Sequence, residues 1–170
     1  LRRLIDLTEL KWPALTIGDD DFSIAATCTV AQLDGIACPP DWIASPLINQ
    51  CCRAFLASFK IWKTATVGGN ICMSLPAGPM ISLTVALEAT YTLWPRTAPA
   101  RDIPSIDFVT GNHTNVLQRG ELLRSIHLPA SALSKHRSAR ATGSTRASWR
   151  SCYAVTNSIP CSTESMGFAP

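Results

Sequence analysis

The chain has 170 residues, of which 46% are hydrophobic and 16% are charged, with a formal net charge of +3. This length and composition allow about one domain with a sizeable core, and they exclude a chain that is disordered throughout. No apolar run reaches the roughly 18 residues of a spanning helix, so we expect no membrane span. The basic N-terminus has no long apolar stretch behind it and does not resemble a signal peptide.

Seven cysteines are present, an odd number, and none of them forms a Cys-x-x-Cys pair or a Cys/His cluster with zinc spacing. Several of them lie inside apolar patterns. We therefore expect free, mostly buried thiols in a reducing compartment, no metal site and a cytoplasmic location.

The first part of the chain predicts short strands. Residues 4–7 form an apolar strand candidate, and residues 14–17 and 22–26 form two more, joined by a Gly/Asp turn at residues 18–21. The three aspartates of that turn lack the spacing of a calcium loop. The pattern predicts a β-hairpin with a solvated turn.

Helical signals follow the hairpin. Thr29 can cap a short helix over residues 30–33, and Ser45 with Pro46 predicts the start of a longer one. From there, apolar residues recur at helical spacing as one stripe, at Leu47, Ile48, Cys51, Cys52, Phe55, Leu56 and Phe59. A further apolar segment, residues 79–89, predicts the next helix.

Two later strands are predicted at residues 91–94 and 120–129. In the second, Gly120 and Pro129 set the limits, and strict alternation puts Leu122, Arg124, Ile126 and Leu128 on one face. Leu123, Ser125 and His127 then share the other face, with His127 exposed to solvent.

The composition changes near residue 134. Residues 1–134 hold 10 Lys/Arg and 11 Asp/Glu, whereas residues 135–170 hold 5 Lys/Arg and one acidic residue. We therefore divide the chain into a domain over residues 1–133 and an irregular or disordered basic Ser/Arg-rich tail over residues 134–170. The tail carries no recognisable nucleic-acid module, so we expect no nucleic-acid partner.

One motif is suited to binding a ligand, namely the run Thr66-Val67-Gly68-Gly69-Asn70. Adjacent glycines let the backbone approach a ligand without a Cβ atom, and their N–H groups can line an anion cavity. The loop is neither a P-loop nor a G-x-G-x-x-G motif. A tight turn between helix and strand explains the same two glycines without a ligand.

The surrounding segments resemble the FAD-binding subunit of the xanthine dehydrogenase, aldehyde oxidase and carbon monoxide dehydrogenase family. The resemblance covers about residues 1–133 and includes that family's Thr-Ile-Gly-Gly-Asn loop. Further matches in the same order are residues 4–7, 24–29, 108–111 and 120–129. It implies an α+β fold, the second lobe of a vanillyl-alcohol-oxidase-like FAD-binding fold, with a mixed or antiparallel sheet and flanking helices.

The same resemblance implies FAD as the cofactor and an electron-transfer role in a molybdenum hydroxylase. Electrons would come from an iron–sulfur small subunit, which is fed by a molybdopterin-binding large subunit, and would leave to an external acceptor. Thr66, Val67, Gly68, Gly69, Asn70 and Leu123 would contact FAD, and no residue would act as acid, base or nucleophile. This fragment alone would be inactive.

The sequence also departs from the family pattern. Pro79 stands where many relatives place a cofactor-holding Asp, and Trp62-Lys63 replace an Arg-Asn pair. The first lobe, with the family's other Gly-Gly loop, is expected upstream of Leu1. These departures keep two alternatives open: a degenerate, non-catalytic flavin-fold lobe that acts as a structural partner, and another flavoprotein oxidoreductase of the same fold.

Overall fold

The computed structural model describes residues 5–76, 78–141 and 153–156. A five-stranded antiparallel sheet, in the order β1-β2-β7-β3-β4, carries the helices. The strands are β1 (Leu15–Ile17), β2 (Asp21–Ala25), β3 (Thr90–Pro95), β4 (Arg101–Pro104), β5 (Val109–Gly111), β6 (Thr114–Asn115), β7 (Glu121–Pro129), β8 (Ser138–Ala141) and β9 (Tyr153–Thr156). The helices are α1 (Val30–Asp34), α2 (Ser45–Ala54), α3 (Phe59–Trp62), α4 (Val67–Met73), α5 (Pro79–Ala86), α6 (Ser105–Phe108) and α7 (Ala130–Leu133).

The predicted hairpin is confirmed. Strands β1 and β2 pair antiparallel, from Leu15 opposite Ile24 to Ile17 opposite Phe22. The turn closes with a hydrogen bond of 2.8 Å from the Gly18 N–H to the Asp21 carbonyl. Local turn chemistry and alternation therefore suffice to predict this part of the sheet.

The core lies between one face of the sheet and the helices. Fully buried side chains of β2, β3 and β7 belong to the same core cluster as helix α5, in which every residue from Met80 to Ala86 is buried. Burying one large apolar side chain contributes about 1.5–3 kcal/mol, so this helix is a main source of stability. Among the described residues, no helix is both long and apolar enough to cross a bilayer.

Helix α2 is shorter than its apolar stripe predicts. Leu47, Ile48 and the two cysteines after them are buried, but the helix ends at Ala54. Phe55 adopts an extended backbone, and its carbonyl accepts a hydrogen bond of 3.2 Å from the Trp62 indole N–H. The prediction that Leu56 and Phe59 extend the buried stripe is therefore wrong: they are 96% and 71% exposed.

Strand β7 departs from strict alternation. Its register with β3 shifts, because Thr92 lies opposite Ser125 while Leu93 lies opposite Leu123, which leaves Arg124 as an extra residue. Such a bulge turns the following side chains over. Leu123 is therefore buried on the same side as Ile126 and Leu128, which corrects the predicted grouping of Leu123 with Ser125 and His127.

His127 lies on the other face of β7, as predicted for a solvent-facing position, with its side chain 37% exposed. The sequence suggested no partner, whereas the structure provides two. Its Nδ1 atom lies 3.2 Å from Asp21 Oδ2, and its Nε2 atom lies 2.9 Å from Ser125 Oγ.

The predictions for the first residues and for the tail have different outcomes. The strand predicted at residues 4–7 is wrong in its described part, because Asp6 caps a 3-10 helix over Leu7–Leu10. In the tail, β8 pairs with β9, and Arg137 forms an ion pair of 2.8 Å with Glu88. Residues 142–152 and 157–170 lie outside the described residues, so the predicted irregular tail over residues 134–170 stays a prediction.

Candidate functional site

Gly68 and Gly69 lie in the first turn of α4, which begins beside the chain that leaves β2. We call this first helical turn the Gly68–Gly69 turn. The Val67 N–H donates to the Cys28 carbonyl at 2.8 Å, and the Gly68 N–H donates to the Ala26 carbonyl at 3.0 Å. These bonds fix the turn against the end of the sheet. Two segments that both contributed to the family resemblance are thus direct neighbours.

The backbone amides of this turn are not open to a ligand. The Gly69 N–H donates to Thr66 Oγ1 at 3.0 Å, which is the N-cap bond of α4, and the Asn70 N–H donates to the Thr66 carbonyl at 3.0 Å. With Val67 and Gly68 also bonded, each N–H group from Val67 to Asn70 has a partner inside the protein. The expected anion cavity of free amides is therefore wrong.

Gly68 and Gly69 each leave little room for a Cβ atom, but for different structural reasons. A Cβ atom on Gly68 would lie 2.5 Å from the Ala26 Cβ and 2.7 Å from the Ala26 carbonyl oxygen, so no larger residue fits. A Cβ atom on Gly69 would lie 2.8 Å from Thr66 Oγ1, the capping oxygen. Gly68 is buried, whereas Gly69 is exposed. The alternative of a tight turn between helix and strand is therefore wrong, because both glycines lie inside the first turn of α4. Close packing against Ala26 accounts for Gly68, whereas Gly69 is exposed.

An apolar groove of about 340 Å³ opens beside Gly69, at the end of the sheet. It brings together four residues assigned to FAD from the sequence: Thr66, Gly68, Gly69 and Leu123. Residues that the sequence did not suggest complete its walls, namely Leu7, Thr8, Ala26, Thr27, Cys72, Leu117, Glu121 and Leu122. Leu7, Ala26, Thr27, Glu121 and Leu122 lay in segments that carried the resemblance, whereas Thr8, Cys72 and Leu117 reach the groove only through tertiary contacts.

The other two predicted site residues lie apart from the groove lining. Val67 is fully buried in the core. Asn70 is half-buried, and its Oδ1 atom accepts a hydrogen bond of 3.2 Å from the Met80 N–H in the first turn of α5. Pro79, at the first position of that helix, has no N–H to satisfy. Asn70 therefore joins α4 to α5.

Two ionisable side chains line the groove. Burial raises the pKa of the Cys72 thiol to about 11, so this group is neutral at pH 7. Hydrogen bonds from Arg101 and from the Gln118 backbone lower the pKa of Glu121. The Glu121 carboxylate accepts hydrogen bonds from Arg101 Nε at 3.0 Å and from Arg101 Nη2 at 2.8 Å. The groove thus presents apolar surface, threonine hydroxyls and one paired carboxylate.

These walls fit a planar ring better than a phosphate. The volume is at the small end of the range for ligand pockets, about 300–1,000 Å³. Leu122 and Leu123 supply apolar contact, and the Thr27 hydroxyl can donate or accept a hydrogen bond. The Thr8 hydroxyl donates to Asp6 Oδ1 at 2.6 Å, so it can only accept. No cation is found among the described residues that line this groove, so their surface suits an aromatic ring better than a diphosphate.

Similar proteins are found both by sequence and by structure. Residues 1–131 match the family described as FAD binding domain in molybdopterin dehydrogenase. Xanthine dehydrogenase of Oryza sativa subsp. japonica is 29% identical over 133 residues, which are 74% of this chain and 10% of that protein. A solved structure of reconstituted CO dehydrogenase from Oligotropha carboxidovorans is 29% identical with a TM-score of 0.57, covering 68% of this chain and 39% of that one.

A second structure, carbon monoxide dehydrogenase from Hydrogenophaga pseudoflava, has a TM-score of 0.65 at 20% identity, covering 79% of this chain and 46% of that one, and supports the fold. The chain belongs to the family of FAD-binding domains of molybdopterin dehydrogenases, whose cofactor is FAD. Its helices and antiparallel sheet match the FAD domain of a CO dehydrogenase. The chain spans under half of each of these solved chains and about a tenth of the rice enzyme.

Proposed function

We propose that this chain is part of the FAD-binding electron-transfer subunit of a molybdenum hydroxylase-type oxidoreductase, and that its groove holds the flavin ring. The observation that carries this proposal is the apolar groove beside Gly69, lined by Leu122 and Leu123. FAD, when bound, would accept electrons and pass them to an external acceptor. The chain corresponds to the second lobe of a vanillyl-alcohol-oxidase-like fold, and the first lobe would hold the rest of the cofactor.

The partners in this proposal are an iron–sulfur small subunit and a molybdopterin-binding large subunit. Support comes from the family description, which names a molybdopterin dehydrogenase. We also propose a cytoplasmic location, because the five cysteines among the described residues are free. Burial raises the pKa of Cys28 and Cys52 to about 12, which makes these thiols unreactive at neutral pH.

In this proposal the protein binds and orients the ring without acting as an acid, base or nucleophile. Cys72 is protonated at neutral pH, and both oxygens of Glu121 are engaged by Arg101. Thr27 would donate or accept a hydrogen bond at the ring edge, Thr8 would only accept one because its hydroxyl donates to Asp6 Oδ1 at 2.6 Å, and Leu123 would pack against the ring. The alternative of a purely structural lobe is not favoured. If the lobe had lost its cofactor, the simplest outcome would be a groove filled by side chains, whereas this groove is open.

Titration of the 170-residue chain with FAD, followed by flavin fluorescence, tests the proposal. We expect weak but saturable binding, because one lobe offers only part of the buried contact that a cofactor normally has. The Leu122→Asp variant should weaken that binding by at least about tenfold, since it places a charge against the apolar ring.

The matched control is Ile17→Asp. Ile17 is an apolar residue of β1 that is 47% exposed and lies outside the groove lining. This variant should bind FAD like the parent chain, and circular dichroism should show that both variants fold. Absence of saturable binding by the parent, or equal loss in both variants, would overturn the assignment of the groove.

A further inference from the structure

The face of the sheet that points away from the core carries a second cavity, of about 320 Å³. Alternation along the paired strands β2 and β7 puts Asp21 on this face together with Ser125 and His127. Residues of the opposite parity on the same strands, such as Ile24 and Ile126, are fully buried in the core. The cavity shares no lining residue with the groove that we assign to the flavin ring.

Ser125, His127 and Asp21 form a continuous chain of hydrogen bonds along this face. Ser125 Oγ lies 2.9 Å from His127 Nε2, and His127 Nδ1 lies 3.2 Å from Asp21 Oδ2. An ionised carboxylate can only accept, so in the neutral ring Nδ1 carries the proton and donates to Asp21. Nε2 is then the acceptor, and the Ser125 hydroxyl donates to it. The order and polarity of these bonds are those of a Ser–His–Asp triad.

The serine and the histidine of this chain of bonds both line the cavity, whereas Asp21 lies outside the lining and contacts the other ring nitrogen. Ser125 is only 8% exposed, so the hydroxyl is reached through the cavity and is otherwise enclosed. A serine hydroxyl is a weak nucleophile unless a base within hydrogen-bond distance takes its proton. His127 is placed to be that base.

Further hydrogen-bond donors surround the Ser125 hydroxyl. Thr16 and Ser23 line the cavity, and within the part of the chain that the structure describes no hydrogen bond engages either hydroxyl. Arg124 lines it as well, with its guanidinium carbon 3.8 Å from the centre of the Trp12 ring, a cation–π contact that holds it at the wall. Donors of this kind stabilise the negative charge that develops on a carbonyl oxygen during acyl transfer.

We propose that Ser125, His127 and Asp21 form a hydrolytic site for small carboxylic esters. Ser125 Oγ attacks the carbonyl carbon while its proton passes to His127 Nε2. The bond to the leaving oxygen then breaks, the proton passes to that oxygen to release an alcohol, and the acyl group stays on Ser125. Water repeats these steps with His127 as the base, which frees the carboxylic acid and restores the hydroxyl. Asp21 is a positioning residue, because it orients the ring without touching the ester.

The size of the cavity limits the substrate. Its volume is at the small end of the range for ligand pockets, about 300–1,000 Å³, so a short acyl chain fits and a long one does not. The inference does not depend on the proposed flavin site, because the two sites lie on opposite faces of β7 and share no residue.

Covalent labelling with an alkyl fluorophosphonate tests the inference, because an activated serine displaces fluoride from phosphorus and keeps the phosphonyl group. The 170-residue chain should take up one equivalent, which peptide mass spectrometry should locate on Ser125. Ser125→Ala should take up none, and His127→Gln should react at least about a hundredfold more slowly, since the general base is lost. The matched control, Ser131→Ala, removes an exposed serine outside the cavity and should be labelled like the parent.

Hydrolysis of 4-nitrophenyl acetate tests the positioning role of Asp21. Asp21→Asn should lower the rate at least about tenfold, because the amide can hold the ring with its proton on Nε2, where it no longer accepts from Ser125. The matched control is Asp20→Asn, an exposed neighbour in the same turn, which should keep the rate of the parent. A purely structural Asp21 would change the unfolding midpoint but not the rate per folded molecule.

No labelling of the parent, a label on another residue, or equal rates for Asp21→Asn and Asp20→Asn would overturn the inference. Circular dichroism checks that each variant folds. Should Ser125→Ala fail to fold, the position of the label in the parent and the pair of aspartate variants decide. All these variants should bind FAD like the parent, and Leu122→Asp should keep the esterase rate, so failure of the groove and failure of the hydrolytic site give different results.

Discussion

The two sides of the Gly68–Gly69 turn differ in what they contact. On the inner side, Val67 is fully buried and Gly68 packs against Ala26 with no room for a Cβ atom. On the outer side, Gly69 is exposed and borders the groove together with Thr66. In this dipeptide, the first glycine allows close packing against Ala26, and the second leaves the groove accessible to a ligand.

This difference changes how the glycines support a cofactor. Free amides would bind a phosphate, but the amides of this turn donate hydrogen bonds to oxygen atoms of Thr66, Ala26 and Cys28. What the turn offers instead is an accessible surface without a side chain, held rigidly by four hydrogen bonds. A flat ring benefits from such a surface, because close contact needs no side-chain reorganisation.

The largest expected effect comes from filling the inner side. Gly68→Ala would place a methyl group 2.5 Å from the Ala26 Cβ, so the turn and the end of β2 must separate. We expect a loss of about 1–3 kcal/mol in the free energy of unfolding, the usual cost of overpacking. Urea denaturation followed by circular dichroism measures it.

Gly69→Ala is the matched variant on the outer side. Alanine favours the helix by about 1 kcal/mol over glycine, which offsets the contact with Thr66 Oγ1. The free energy of unfolding should change by less than about 1 kcal/mol, while FAD affinity falls. Equal destabilisation by the two alanines would contradict the division of the turn into a packed side and an open side.

Several parts of the fold follow from local sequence. The Gly18 turn predicts the first hairpin, and Thr29 begins α1 with a capping box that includes Gln32. Apolar spacing did not predict the end of α2, because the pattern carries no sign of the local bond by which the Trp62 indole N–H holds the Phe55 carbonyl. Alternation also failed at Arg124, since a bulge of one residue leaves no mark in the pattern.

The site could be predicted only in part. The motif located Thr66 and Gly69, and the resemblance located Leu123, all of which line the groove. The motif also suggested open amides, which was wrong: the amides of Val67 and Gly68 bond to carbonyls of another segment, and those of Gly69 and Asn70 bond to Thr66 at the start of the helix. Groove residues such as Thr8 and Leu117 carry no local signal, because only the fold brings them beside the turn.

A smaller effect is expected where a side chain of α4 bonds to the first turn of α5. Asn70→Ala removes the acceptor for the Met80 N–H, which should cost about 0.5–1.5 kcal/mol in the free energy of unfolding. Asn70→Asp keeps an acceptor oxygen and should recover most of this loss. A large fall in FAD affinity for Asn70→Ala with unchanged stability would instead support the direct cofactor contact implied by the family resemblance.

The smallest effect concerns the wall of the groove formed by Glu121. Hydrogen bonds from Arg101 lower the pKa of this carboxyl, so the pair stabilises the folded state above the ordinary carboxyl pKa of 4.5. That contribution disappears as the pH falls through the lowered pKa, where the carboxylate becomes protonated. The stability difference between the parent and Glu121→Gln should therefore be greatest near neutral pH and vanish in acid. Thermal unfolding of both proteins across this range measures the difference.

Asp6 also has a pKa that is lowered by Thr8, but it titrates in both proteins, so its effect cancels in the stability difference. A difference that stays constant down to strongly acidic pH would mean that Glu121 acts through packing and not through its charge.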